Sequence, residues 1–197
     1  MLTSNGNSRP TWQDAGGGGA WELQSSTSLS GTGSSSYYRS FTLSNDVLHR
    51  FTFDNFYWVT ADYMGAVFSP NGGSSFDSTT FVRWDNSYSQ WYNSPYDNNS
   101  RMTGAGTGAV RYHRYTTNSN DKATLIFWVF APSSSSGKAR LIGEIHYINY
   151  GNPQKHYFAA AAYTTQVVNH IRFGPVNYLN SSQGMRGVLK HETFSGT

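Results

Sequence analysis

Glu144 and His146 are the residues whose types and spacing come nearest to a chemical site. They lie two positions apart in a segment, Lys138 to Ile148, that reads as a β-strand, so both side chains should share one face. A carboxylate beside an imidazole can form a charge pair, half of a metal site or an acid/base couple. Because no second couple of this kind stands nearby in sequence, we expect an exposed cross-strand polar pair, with a metal role left open.

The remaining polar residues form no motif that predicts an active site. Most of the 11 Asp and Glu residues stand beside Asn, Ser or Gly, where a turn explains them, so no carboxylate pair for glycoside hydrolysis stands out. The 6 histidines fall on separate predicted strands, without the close spacing of metal ligands. The sequence also contains neither a phosphate-binding glycine loop nor a serine nucleophile elbow. We therefore expect a protein that is not an enzyme and that needs no cofactor.

A second set of candidate functional residues is aromatic. The segment from Asp85 to Thr107 is long, irregular and rich in Asn and Ser, and it carries Tyr88, Trp91, Tyr92 and Tyr96. Flat rings stack on sugars and on protein surfaces, while amides and hydroxyls make directional hydrogen bonds. These four rings are our candidate ligand contacts. The alternative is that they close one end of the domain as a small satellite cluster.

The first twenty residues, Met1 to Ala20, have the composition of an extended arm. Asn5 to Pro10 and the glycine run bounded by Gly16 and Gly19 should not form a packed element, yet Trp12 lies between them. One reading is a flexible leader with an incidental tryptophan. The other is an assembly arm, with Trp12, Gly16 and Gly19 as its key residues, that docks on another protein.

Residues 21–197 carry strand signals throughout. In Lys122 to Ala131, both alternating faces of an extended chain would be apolar, which predicts an inner strand, and we take it as the central one. We expect a polar connection from Ser25 to Ser36 and a short tail from His191 to Thr197.

About ten or eleven strands are predicted at regular spacing, with no amphipathic helix. Besides the central strand and Lys138 to Ile148, these are Trp21 to Gln24, Tyr37 to Leu43, Val47 to Phe53, Asp62 to Phe68, Thr79 to Trp84, Gly108 to Tyr115, Lys155 to Tyr163, Gln166 to Phe173 and Met185 to His191. The pattern predicts one all-β domain, an antiparallel two-sheet β-sandwich with jelly-roll-like or Greek-key connections.

Bulk composition narrows the classes of function. With no cysteine, neither disulfides nor thiolate metal sites can form. The N-terminus lacks the features of a signal peptide, and no apolar run approaches membrane-spanning length, so we expect no membrane insertion. The net charge is +3, but the 14 Lys and Arg residues are scattered, so we expect no nucleic-acid binding.

The order of several stretches resembles a domain of tailed-bacteriophage virion proteins, of the tail-fibre and decoration type. The resemblance spans Trp21 to Leu189 and rests on the Gly-rich lead into Trp21-Glu22-Leu23, on Phe68-Ser69-Pro70-Asn71-Gly72-Gly73-Ser74-Ser75-Phe76-Asp77, on Phe130-Ala131-Pro132-Ser133-Ser134-Ser135, and on Val168-Asn169-His170-Ile171-Arg172-Phe173-Gly174 followed by Met185-Arg186-Gly187-Val188-Leu189. It implies a non-enzymatic sandwich, frequently trimeric, that forms a tip, knob or decoration on the particle. The family has no shared catalytic residues to carry over.

The leading hypothesis is therefore a phage virion surface protein, made in the host cytoplasm and displayed on the particle. We expect a tail-fibre or receptor-binding tip, a homotrimer that contacts host glycan or protein through Trp91, Tyr92 and Tyr96. Residues 1–20 would bind other virion proteins. One alternative is a capsid decoration or head-fibre protein, and another is a carbohydrate-binding module unrelated to a virus. A polysaccharide-degrading enzyme is the least favoured class.

Overall fold

Every element in the described part of the chain is a β-strand. The computed structural model describes residues 2–3, 11–12, 19–31, 38–59, 64–74, 85–90, 122–149, 152–161, 167–175 and 184–195. The strands are β1 (Leu2–Thr3), β2 (Thr11–Trp12), β3 (Ala20–Ser30), β4 (Arg39–Thr42), β5 (Leu48–Trp58), β6 (Met64–Ser69), β7 (Asp85–Gln90), β8 (Ala123–Phe130), β9 (Arg140–Asn149), β10 (Asn152–Ala161), β11 (His170–Pro175) and β12 (Met185–Ser195).

Seven of these strands form one large sheet in the order β3-β12-β5-β8-β9-β10-β7. Each neighbouring pair is antiparallel. Strand β8 stands fourth of the seven, so the prediction of a central strand within Lys122 to Ala131 is confirmed. Strands β8, β9 and β10 follow one another along the chain, whereas β5 pairs with β12, which comes from the far end of the sequence.

A second sheet has three strands in the order β4-β11-β6, and β1 and β2 form a separate short ladder. Rings from the two larger sheets interlock between them. The centroid of Phe173 on β11 lies 5.0 Å from Phe51, 5.5 Å from Phe53 and 5.0 Å from Phe127. Phe41 on β4 lies 4.9 Å from Phe51. The predicted all-β, two-sheet sandwich is confirmed, and the jelly-roll connectivity stays a prediction.

The central strand buries one face more completely than the other. Its inward side chains are buried, and those of Leu125, Phe127 and Val129 are 0% exposed. The side chains that alternate with them are only half-buried, and they are Thr124, Ile126, Trp128 and Phe130. The run of apolar residues from Leu125 to Phe130 therefore serves two surfaces: a closed core and a partly open outer face.

Strands β5 and β12 share an irregularity that changes which residues face the core. On β5, the inward positions are His49, Phe51 and Phe53 before it and Phe56 after it, with Asn55 at a φ of 52° between. Pairing with β8 shifts between Phe53 and Phe56, and pairing with β12 shifts at the same level. This β-bulge moves the even-numbered aromatics of β5 into the core.

Three predicted segments differ from the structure. The polar stretch from Ser25 onward is not a connection as far as Ser30, because β3 continues through it and pairs with β12. Strand β12 likewise continues to Ser195, so the predicted tail is largely strand. The start of the predicted irregular loop, Asp85–Gln90, is the edge strand β7. In each case a neighbouring strand supplies hydrogen-bond partners that outweigh weak intrinsic propensity.

Two further predicted strands, Thr79 to Trp84 and Gly108 to Tyr115, lie outside the described residues.

Candidate binding surface

The outer face of the seven-stranded sheet, which points away from the three-stranded sheet, combines exposed apolar side chains with paired charges. Strand register aligns its side chains in rows that cross the sheet. One row runs from Trp21 on β3 through Phe194 on β12 and Leu48 on β5 to Phe130 on β8. The next row runs, in the same strand order and on to β9, through Leu23, Glu192, Arg50, Trp128 and Ile142.

Exposure distinguishes this face from the core side of the same sheet. Leu23 is 60% exposed and Ile142 is 54% exposed. The rings of Trp21, Trp128 and Phe194 are half-buried. Large apolar side chains at this level of exposure, alongside aromatic rings, are typical of surfaces that contact another molecule.

Arg50, Glu192 and Trp21 form a cluster on this face. The guanidinium of Arg50 donates two hydrogen bonds to the carboxylate of Glu192, at 2.7 Å and 2.8 Å. The same guanidinium lies 4.3 Å from the ring centroid of Trp21, which also meets Phe194 edge-on at 5.4 Å. The hydrogen bond from Arg50 lowers the pKa of Glu192, and the bond to Glu192 raises the pKa of Arg50. Both groups therefore stay charged across the neutral range, and the indole is held in place by the cation above it.

Glu144 and His146 lie on the same face, on β9, and form a second charged cluster with Lys155 of β10. Glu144 Oε1 lies 3.3 Å from His146 Nε2, and Glu144 Oε2 lies 3.0 Å from Lys155 Nζ. Partial burial by itself raises the pKa of Glu144, but the hydrogen bonds from Lys155 and His146 together lower it below its ordinary value.

The sequence left three roles open for Glu144 and His146: a charge pair, half of a metal site and an acid/base couple. The contact between the two side chains matches the first of these. A carboxylate whose pKa is lowered by hydrogen bonds from Lys155 and His146 is not poised to deliver a proton at neutral pH. Across the described ranges, no three metal-ligating side chains come together, so Glu144 and His146 have no third ligand there.

Lys190 and Asp54 form a third charged pair on the same face. Lys190 Nζ lies 2.6 Å from Asp54 Oδ2, and this contact raises the pKa of Lys190. With it, the three acidic side chains described on this face, Glu192, Glu144 and Asp54, each contact a basic partner. The face can therefore stack on a partner through its rings and offer fixed charges as hydrogen-bonding groups, without a free acid among those three.

Three of the stretches that carry the sequence resemblance meet at one end of the sandwich. Asn45 Nδ2 donates to the carbonyls of Ala131, Pro132 and Val168, at 3.3 Å, 3.3 Å and 3.0 Å. The amide of Asn169 donates to the carbonyl of Ser69 at 3.1 Å, and the amide of Gly72 donates to the Asn169 side chain at 3.1 Å.

A second turn residue adds to these bonds. Asp46 accepts hydrogen bonds from the amide and the hydroxyl of Ser133, which lower its pKa. The short turns after β4, β6 and β8 and the approach to β11 are thus tied into one hydrogen-bonded unit.

Of the predicted site residues, Glu144 and His146 lie on this face, and the structure gives only strand positions for the others that it describes. Trp12 pairs with Leu2 in the short ladder, and Gly19 stands just before β3. Tyr88 lies on the edge strand β7, opposite His156 of β10 in register. The remaining predicted residues, Gly16, Trp91, Tyr92 and Tyr96, lie outside the described residues. The arm and the aromatic loop therefore stay predictions.

Sequence reasoning missed the outer-face residues Trp21, Arg50, Trp128, Ile142 and Glu192. Arg50, Trp128, Ile142 and Glu192 carried a signal, since each stands next to a buried residue on its own strand, whereas Trp21 stands between exposed Ala20 and Glu22. What the sequence lacked was the pairing of β12 with both β3 and β5, which brings Glu192 between Leu23 and Arg50.

Comparison with known proteins identifies no relative of this chain. The chain matches no protein-family model, no curated protein and no solved structure. Within the part of the chain that the structure describes, no helix is long and apolar enough to cross a membrane.

Proposed function

We propose that this chain is a non-enzymatic surface protein of a tailed-bacteriophage particle, acting as a tail-fibre or receptor-binding tip that contacts the host surface. The observation that carries the contact role is the outer face of the seven-stranded sheet. There, exposed Leu23 lies on the same strand as Trp21, whose ring is held by Arg50, and exposed Ile142 lies beside Trp128 in the same row as Leu23, as a preformed contact surface would require.

The assignment to a phage particle rests on the sequence resemblance. Three of its stretches include Ser69 to Ser74, Ala131 to Ser135 and Val168 to His170, and hydrogen bonds join them at one end of the domain. These three stretches therefore form one physical unit in the folded domain.

The paired carboxylates support a binding role over hydrolysis. Glycoside hydrolysis needs one carboxyl group that stays protonated near neutral pH and a second that is ionised. On the outer face, the pKa values of Glu144 and Glu192 are both lowered by basic neighbours, so neither supplies the protonated member.

The first test combines native mass with binding. Light scattering on the full chain should give a trimer, and the labelled chain should bind a panel of immobilised bacterial lipopolysaccharides and capsular polysaccharides. Ile142→Glu should weaken that binding at least roughly tenfold, since it buries a charge at a contact. Tyr38→Glu is the matched control, because Tyr38 is 43% exposed but stacks with Arg172 on the other sheet.

The outcomes separate the candidate functions. A monomer that binds soluble oligosaccharides but not the bacterial polymers would instead identify a carbohydrate-binding module. Absence of binding to every polymer and to whole bacterial cells would overturn the receptor-binding role.

The capsid-decoration alternative depends on the arm. Deleting residues 1–20 should abolish incorporation into particles while leaving the sandwich folded, as measured by circular dichroism. Incorporation into heads without tails, in the full chain, would favour decoration. Normal incorporation of the deleted chain would refute the assembly role of Trp12 and its neighbours.

A further inference from the structure

Two histidines lie in direct contact inside the sandwich. His49 on β5 is 1% exposed and His191 on β12 is 8% exposed. Their Nδ1 and Nε2 atoms, respectively, are 2.9 Å apart. Among the described residues, the buried polar side chains are these two histidines and Ser69. Buried histidines are costly when charged, so the state of their protons matters to the fold.

The hydrogen bonds define the neutral state of the pair. His49 Nε2 lies 3.0 Å from the carbonyl oxygen of Ser44, and a carbonyl can only accept. His49 therefore carries its proton on Nε2 and accepts at Nδ1. It follows that His191 Nε2 donates to His49 Nδ1, which gives a chain of two hydrogen bonds that ends on the turn between β4 and β5.

The pair lies where the two sheets meet. The ring of His191 stacks on Phe51 of the large sheet, with centroids 4.5 Å apart and planes 11° apart. Phe41 of the small sheet meets His191 edge-on at 5.4 Å. Displacing the His191 ring would therefore disturb the contact of β4 with the seven-stranded sheet, and losing the bond to Ser44 would free the adjoining turn.

The charged groups around the pair are few. Glu192, next to His191, is the negative charge that favours a protonated His191, although it points to the outer face and is bound by Arg50. From β4 the pair faces Phe41, with Arg39 two residues earlier on the same side of that strand.

On the other neighbouring strands, exposed Glu22 of β3 is a charged residue on this side of the sheet, opposite Thr193 in register. In register, Thr193 and Val129 stand opposite His49, and Ser25 stands opposite His191. In the adjoining turn, Asp46 is engaged by Ser133. An added proton on the pair would therefore have no buried anion to balance it among the described residues.

We propose that His49, His191 and the Ser44 carbonyl form an acid-sensitive latch, hereafter the histidine latch, that holds β4 and its following turn against the seven-stranded sheet. While both rings are neutral, the hydrogen-bonded chain is complete. One added proton goes to Nδ1 of His191, which leaves the hydrogen bond between the rings in place but puts a charge in the core. A second proton sets N–H against N–H and two positive charges side by side, so the chain breaks and the small sheet is released at this end.

The direction of the pH effect follows from burial. Burial lowers the pKa of His191 to about 4, with the charge of His49 adding to this, and burial lowers the pKa of His49. In the unfolded chain, His191 has an ordinary pKa near 6.5. Between pH 6.5 and about pH 4, the unfolded chain therefore binds more protons than the folded chain. Stability from the latch is therefore complete above pH 6.5 and is lost as the pH falls toward 4.

The first test compares urea unfolding of the full chain at pH 7 and pH 4.5. His191→Gln keeps an N–H donor for His49 but does not titrate in this range. Between these pH values, the folding equilibrium constant of the wild type should fall roughly 50-fold relative to that of His191→Gln. His170→Gln is the control for removing a histidine that bonds Thr42 of β4 outside the latch, and it should keep the wild-type fall. Equal pH dependence in wild type and His191→Gln would overturn the latch.

A second measurement uses the wild type alone, in case the variant does not fold. The ring protons of His49 and His191, followed by NMR, should titrate well below pH 6.5 and in coupled steps. Titration of both rings near 6.5 would overturn the proposal.

Hydrogen exchange tests release at this end specifically. The amide of Leu43, which donates to the Asn169 carbonyl at 2.8 Å, should lose protection at pH 5 before the amide of Phe127 does, after correction for intrinsic rates. Simultaneous loss at both amides would show global unfolding and overturn local release.

Discussion

Replacing Phe173 by alanine tests whether one ring joins the two sheets. Phe173 is 0% exposed on the middle strand of the small sheet. It contacts Phe51, Phe53 and Phe127 of the large sheet, and Phe41 of its own sheet at 6.4 Å. If the sandwich depends on this ring, its loss removes aromatic contacts from both sheets at once.

The expected cost can be worked from these contacts. Truncating a buried Phe to Ala usually costs about 3–5 kcal/mol, because transfer free energy is lost and a cavity remains. Three of the partners belong to a different sheet, so the site cannot collapse without moving one sheet relative to the other. Each aromatic pair also adds about 0.5–1.5 kcal/mol beyond buried area. We therefore expect Phe173→Ala to lower the free energy of unfolding by about 4–5 kcal/mol.

Guanidinium unfolding, followed by tryptophan fluorescence and by circular dichroism, measures this difference. Phe173→Leu keeps most of the volume and should cost about 1.5 kcal/mol. Ile142→Ala removes an apolar side chain that is 54% exposed, and it should change stability by about 0.5 kcal/mol. If Phe173→Ala cost no more than Ile142→Ala, with an unchanged denaturant slope, the two sheets would not be joined as described.

Three further substitutions test separate parts of the fold. Asn45→Ala should lower the melting temperature and cost about 2 kcal/mol, since three carbonyls lose their shared donor; an unchanged melting temperature would contradict the tied turns. Gly187→Ala should cost about 3 kcal/mol in urea unfolding, because φ is 130° and the new Cβ would lie 2.6 Å from the Asp54 carbonyl oxygen; a neutral result would refute the bulge geometry. Glu192→Gln should cost about 1 kcal/mol at pH 7 by breaking the pair with Arg50. Because the pKa of Glu192 is lowered, that difference should vanish as the pH falls below 4.5, and parallel unfolding curves at every pH would argue against the pair.

The sequence predicts most of the strands because burial imposes alternation. In β8, unbroken apolar character identified the middle of the sheet. In β3, Ser and Thr residues carry no such signal, yet the strand continues because β12 pairs with it from Ala20 to Ser30. A polar strand at a sheet edge is stabilised by its neighbour, so its length cannot be read from its own residues.

The candidate surface and the histidine latch share one reason for being hard to predict. Glu192 meets Arg50, and His191 meets His49, across 142 positions of sequence in both cases. Both contacts depend on β5 pairing with β12. Once that register is known, the alternation of β12 sends His191 inward and Glu192 outward, so a single strand pairing creates both features.

The bond between Arg50 and Glu192 also bears on how the outer face would bind. An arginine held by two hydrogen bonds and stacked on Trp21 has already lost most of its rotamer freedom. When a partner docks there, the side chain of Arg50 loses little further conformational entropy. A modest contact area can therefore yield useful affinity. If the outer face is a contact surface, as proposed, this pair is already in place before a partner docks.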